Sequence, residues 1–136
     1  MERDTIRGPT GHQFTLYHQY LLNWANAKGF CESVGGGLAV LNTKALNDIV
    51  TQKYAGQQYW IGASDAEQEG WWRWINGDML WKPGKRTKYN NWGQSEPNGG
   101  SRENCLFVDR EKWADHSCGV LLHPLCEVQP KCSIHR

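Results

Sequence analysis

The chain has 136 residues, with 15 Lys and Arg against 14 Asp and Glu, for a formal net charge of +1. That length suits one domain with its own core, and near-neutral charge without a basic stripe excludes nucleic acid as an electrostatic partner. Mean hydropathy is −0.70 despite eight tryptophans, and no apolar run reaches the roughly 18 residues of a membrane-spanning helix, so no membrane span is expected.

Residues 1–11 are polar, contain Gly8, Pro9 and Gly11, and read as a loose N-terminal arm. Met1 to Thr10 has no hydrophobic signal core. Met1 therefore reads as a start added to a mature sequence, or as the edge of a domain cut from a longer chain. Gln13 to Tyr17 predicts a strand. Asn23 is a candidate N-cap, and Trp24, Ala27, Cys31 and Val34 follow at helical spacing. Gly35-Gly36-Gly37 comes after that helix. A phosphate-cradling glycine loop needs a strand before it and a helix after it, so this run reads as a helix stop. Leu38 to Leu41 predicts a short buried strand. Thr43 can cap a second helix with Leu46, Ile49 and Val50 on one face, ended by Gly56.

Tyr59-Trp60-Ile61-Gly62 reads as a core strand. An acidic turn, Asp65 to Gly70, precedes the aromatic run Trp71 to Ile75, and Asn76-Gly77 is a turn signal. Lys82 to Lys88 is a short basic run of the kind found in solvated loops. From Lys82 to Arg102 there is little periodicity and much Gly, Pro, Asn and Ser; a run of about 20 such residues in a compact domain points to function. Leu106 to Val108, Lys112 to Ala114 and Leu121 to Val128 predict the last strands. The tail after Gln129 holds Pro130 and Cys132.

Five cysteines stand at 31, 105, 118, 126 and 132, with no Cys-x-x-Cys pair. This argues against structural zinc. Disulfides would imply an oxidising compartment, but the sequence alone leaves their connectivity open.

The stretch from Trp92 to Cys126 carries the chemistry. Carboxylates Glu96, Glu103 and Asp115 and carboxamides Asn98 and Asn104 flank a short apolar run. If that run pairs with the segment after it, Glu103 and Asp115 meet at one end. Hard oxygen ligands without imidazole or thiolate suit Ca²⁺. A glycosidase would also use two carboxylates. No Gly-x-Ser-x-Gly is present, however, and histidines 12, 18, 116, 123 and 135 show no His-Glu-x-x-His spacing.

This stretch resembles the C-type lectin-like domain. Glu96-Pro97-Asn98 is similar to the family's mannose-type sugar triplet, and Glu103-Asn104-Cys105 to its second calcium segment. Tyr59 to Gly62 is similar to its Trp-Ile-Gly core element. Lys112-Trp113-Ala114-Asp115 stands where the family usually has Trp-Asn-Asp. The resemblance implies an α+β C-type lectin fold, with two flanking helices, small antiparallel β-sheets and a long calcium- and sugar-binding loop. It implies a lectin domain over 12–128 between an arm (1–11) and a tail (129–136). It also implies disulfides Cys31–Cys126 and Cys105–Cys118, leaving Cys132 free or intermolecular.

By the same resemblance, Glu96, Asn98, Glu103 and Asp115 hold both Ca²⁺ and the sugar, and Asp65, Glu69 and Asn104 hold an auxiliary ion. Glu-Pro-Asn implies sugars with equatorial 3- and 4-hydroxyls, such as mannose, on cell-surface or microbial glycans. The implied protein is a secreted, extracellular, non-catalytic lectin, with disulfide-linked or non-covalent homo-oligomers as a further expectation. Ala114 in place of the usual Asn ligand supplies the alternative: a Ca²⁺-independent protein-recognition module on the same fold.

Overall fold

The computed structural model describes residues 5–8, 11–82, 89–93 and 104–128. Two helices and nine strands occur among them, an α+β architecture. The first helix, α1 (Trp24–Ser33), starts where Asn23 Oδ1 accepts the Asn26 amide at 2.8 Å. This is the N-cap bond that satisfies an otherwise orphaned amide. Ala27 and Cys31, one turn apart, are its buried face.

Val34, expected on that face, is instead the C-cap and is exposed. Beyond it Gly35 takes φ +94°. The Gly35 amide donates to Glu32 O and the Gly36 amide to Cys31 O, a Schellman ending. Gly36 has a second reason to be glycine, since a Cβ there would collide with the Glu127 carbonyl oxygen. The glycine run is therefore both a helix stop and a close approach to another strand.

The second helix, α2 (Lys44–Lys53), is capped by Thr43 Oγ1, which accepts the Leu46 amide at 3.2 Å. It buries Leu46, Asn47, Val50 and Thr51. Ile49 is only half-buried, and a polar residue, Asn47, takes the inner place.

The strands are β1 (Thr5–Arg7), β2 (Gln13–Leu16), β3 (Gly37–Leu38), β4 (Gln58–Ser64), β5 (Trp72–Trp74), β6 (Met79–Trp81), β7 (Cys105–Asp109), β8 (Lys112–His116) and β9 (His123–Val128). The main path runs β1-β2-β9-β4-β5-β6, with β3 on β9 and the β7–β8 hairpin on β4. The β4–β9 pairing is parallel; the others are antiparallel.

Two expectations are corrected here. Part of the loose arm is β1, an edge strand on β2 in which Thr5 and Thr15 share a 2.7 Å hydroxyl bond. The strand expected over Leu38 to Leu41 is laddered only at Gly37–Leu38. Past Leu38 the regular ladder gives way to mixed bonds: the Ala39 amide donates to Leu125 O of β9 at 3.0 Å, the Gly62 amide to Ala39 O at 2.8 Å, and the Val40 amide to the Glu127 side-chain Oε1 at 2.8 Å.

Strand alternation splits the core in two. Tyr59, Ile61 and Ala63 of β4 join Trp72, Trp74, Leu106, Val108 and Trp113 in the larger cluster. Trp60, facing the other way, joins Cys31, Cys105, Phe107, Ala114 and Cys126. The disulfides are Cys31–Cys126, 95 residues apart, and Cys105–Cys118, 13 apart. In the chain-entropy model they contribute about 4–5 and about 3 kcal/mol.

Candidate functional site

The segment 94–103 bears Glu96, Pro97, Asn98 and Glu103, and all four lie outside the described residues, as does Cys132. What can be placed is its two attachments. On the entry side the chain is tied to β8. The Trp113 amide donates to Asn91 O and the Gly93 amide to Trp113 O, each at 2.9 Å. Trp92 meets Trp72, Trp81 and Trp113 edge to face, with ring centroids 5.3, 6.1 and 6.2 Å apart. Such geometry is favoured by the ring quadrupoles.

Trp113 is itself pinned from α2. Its Nε1 donates to Asn47 Oδ1 at 3.0 Å, and Asn47 Nδ2 donates to Tyr89 OH at 2.9 Å. A buried indole N–H needs such an acceptor, which is why a polar residue sits on the inner face of α2. Sequence reading missed this role for Asn47. The available signal was a single carboxamide interrupting the apolar face between Leu46 and Val50.

On the exit side, Asn104 O accepts the Asp65 amide at 3.0 Å. The next residue, Cys105, is held by its disulfide to Cys118. The hairpin expected from sequence is present, with Leu106 opposite Asp115 and Phe107 opposite Ala114. Both attachments thus converge on the end of β8 that carries Asp115.

Asp115 is 5% exposed and Asp65 2%. Asp65 Oδ2 accepts the Gly70 amide at 2.8 Å. Its Oδ1 is buried and has no hydrogen-bond partner among the described residues. Burial, opposed by the Gly70 bond and reinforced by Glu69 and then Asp115, raises the Asp65 carboxyl from its ordinary value to about 6. Glu69 and Asp115 thus lie within electrostatic reach of Asp65, and Asn104 meets it through its main-chain carbonyl. Glu69 remains exposed. Among the described residues no three His, Cys, Asp or Glu side chains close up as a finished metal-binding group.

Ala114 lies on the opposite face of β8 from Trp113 and Asp115, in the smaller core cluster. His116, two residues on, packs on the same side, 5.1 Å from the Phe107 ring. His116 thus serves packing.

Residues 20–128 match the family model for the lectin C-type domain. The chain belongs to that family. Perlucin of Haliotis laevigata is 33% identical over 115 residues, which cover 77% of this chain and 69% of perlucin. C-type lectin domain family 4 member F of Mus musculus is also 33% identical over 115 residues, 76% of this chain, but the chain spans only 19% of that protein's length. Among solved structures, the C-type carbohydrate-recognition domain of cow CD23, determined in the presence of a GlcNAc2Man3 oligosaccharide, superposes with a TM-score of 0.80 at 25% identity. The match covers 97% of this chain and 98% of that one.

The fold is the C-type lectin fold, and the domain is a lectin domain rather than an enzyme. No helix among the described residues is long and apolar enough to cross a membrane.

Proposed function

We propose that this domain is a secreted, calcium-dependent lectin for mannose-type sugars on cell-surface or microbial glycans. The observation that carries the reading is Asp65: a buried carboxylate whose Oδ1 has no hydrogen-bond partner among the described residues, within electrostatic reach of Glu69 and Asp115 and bonded through its amide to Asn104 O. An ionised carboxylate in that setting is costly unless a cation joins it. The donors are all oxygen, as a hard cation prefers.

In this reading Glu96, Asn98, Glu103 and Asp115 hold the principal ion, and Asp65, Glu69 and Asn104 an auxiliary one. Bound Ca²⁺ would supply open coordination positions for two adjacent sugar hydroxyls. The protein's own part is orientation. Carboxylates accept hydroxyl protons and the Asn98 amide donates to a hydroxyl oxygen, so acceptor and donor together select equatorial 3- and 4-hydroxyls. The tied entry at Asn91 to Gly93 and the disulfide at Cys105 hold both ends of that segment beside Asp115, which limits the ordering cost of binding.

Titrating mannose and galactose in calcium and in chelator tests the proposal. Mannose heat in calcium alone is the expected result; equal heats in both media would sink the calcium mechanism. The paired exchange Glu96→Gln with Asn98→Asp should shift preference toward galactose, and an unchanged preference would show that the triplet does not read the sugar.

A further inference from the structure

A cleft opens at the end of β4. It has a volume of about 510 Å³, within the roughly 300–1,000 Å³ range of small-ligand sites. Its walls are Trp24 and Lys28 from α1, Ser64 and Glu67 from the end of β4 and the turn after it, and Trp71 and Arg73 at β5.

Three indoles, of Trp24, Trp71 and Trp74, and two cations meet in it. Trp24 is fixed by its Nε1 bond to Ile61 O at 3.0 Å. Trp71 carries the Lys82 ammonium 5.6 Å from its ring centroid. Trp71 and Arg73 share a strand face by alternation, while Trp72 between them is buried.

Neither lining cation is committed to its present partner. Arg73 Nε stands 4.0 Å from Glu67 Oε1, and the Glu67 side chain is 87% exposed, so little holds that pair. Lys28 pairs with Glu32 one helical turn away at 2.9 Å, with both side chains exposed. Exposed pairs of this kind exchange readily for a better anion. A guanidinium fork fits a carboxylate or sulfate with two parallel bonds.

We infer that this cleft binds an acidic sugar unit, one carrying a carboxylate or a sulfate ester. Its anion meets Arg73 and Lys28, its ring face lies on an indole, and the Ser64 hydroxyl serves a ring hydroxyl. The choice of a saccharide rests on the lectin reading; the anion contact does not need calcium.

The experiment uses the full chain and three tetrasaccharides of equal length, one uronate-bearing, one sulfated and one neutral, titrated in calcium and in chelator. At least one acidic probe should bind in chelator, with affinity falling as salt rises. Arg73→Gln, at an exposed position, should weaken it tenfold or more, and Trp71→Ala likewise. Whether uronate or sulfate binds tighter identifies the anion. Absence of acidic binding in chelator, equal binding of the neutral probe, or an Arg73→Gln protein with unchanged affinity would overturn the inference. Mannose binding indifferent to calcium, with acidic binding intact, would overturn the calcium reading and leave this one standing.

Discussion

Asp65→Asn separates the electrostatic cost of the carboxylate cluster from its purpose. In the wild type, burial and the neighbouring acids raise the Asp65 carboxyl to about 6 from 3.8. At roughly 1.4 kcal/mol per pH unit this sets an upper bound of about 3 kcal/mol. Glu69 is exposed and water screens its share, so about 1–2 kcal/mol is the expected value.

The sign follows from proton counts. Between about pH 4 and pH 6 the folded protein keeps a proton that the unfolded chain has lost. The folded state's extra stability is therefore present at low pH and fades as pH rises through 6. Without calcium, the wild type should lose stability across that window, and Asp65→Asn should not. Asparagine keeps an acceptor for the Gly70 amide and carries no charge. The variant should therefore match the wild type near pH 4 and exceed it by about 1–2 kcal/mol at pH 7.5, some 4–8 °C in Tm for a domain of this size.

Calcium should reverse the order. At one hundred times its Kd an ion adds about 2.7 kcal/mol to the protein that binds it, and the variant should forfeit most of that gain. Thermal unfolding of both proteins at the two pH values, with calcium and with chelator, reads all of this. A variant no more stable than wild type at pH 7.5 in chelator would refute the electrostatic argument. A variant that gains as much from calcium as the wild type would remove Asp65 from the metal site.

Ala114→Asn puts a carboxamide into the smaller core cluster, on the face of β8 opposite Asp115, so it should cost about 1–3 kcal/mol in denaturant unfolding and leave calcium affinity unchanged; tighter calcium binding by calorimetry would show that residue 114 reaches the ion. Cys132 should form an intermolecular disulfide or titrate as a free thiol; a Cys132→Ser protein that runs like the wild type on non-reducing gels, with no thiol titrating in the wild type, would contradict both. Arg110 and Glu111, at φ 50° and 87°, form a two-residue hairpin turn of the kind that favours glycine. Glu111→Gly should therefore raise stability by about 1 kcal/mol in denaturant unfolding, and a loss of stability would show that the Glu111 side chain outweighs the strain.

The helices were legible because their ends are written in side chains. Asn23 and Thr43 cap, Gly35 and Gly56 stop, and each does so by a bond or a φ angle local to a few residues. Strands β4, β7, β8 and β9 were legible from their aromatic and aliphatic runs, and β5 from the aromatic run before Asn76-Gly77, but β6 (Met79–Trp81) was not read. Strand β1 was not: of its three residues only Ile6 is strongly apolar, and what recruits them is the edge of β2, which is far from the local pattern. The β7–β8 turn was equally silent, since Arg110-Glu111 has neither Asn nor Gly, and the register of the hairpin imposes the positive φ.

The candidate site divides along the same line. Its residue types could be read off as oxygen donors, and the hairpin that would carry Asp115 could be anticipated from its apolar strands. The burial of Asp65 could not. In the string Ser64-Asp65-Ala66-Glu67 it reads as one more solvated acid. It becomes a buried one because its amide is spent on Asn104 O and one of its oxygens on the Gly70 amide. Those bonds fold the acidic turn back over the start of β7. An acid forced inward by its own backbone bonds, against two other carboxylates, is unfavourable as a structural element alone, since an uncharged residue would serve the Gly70 bond as well. A cation beside it would offset that cost, and that is why the Asp65→Asn experiment, rather than any stability measurement on the core, tests whether this acidic turn holds an ion.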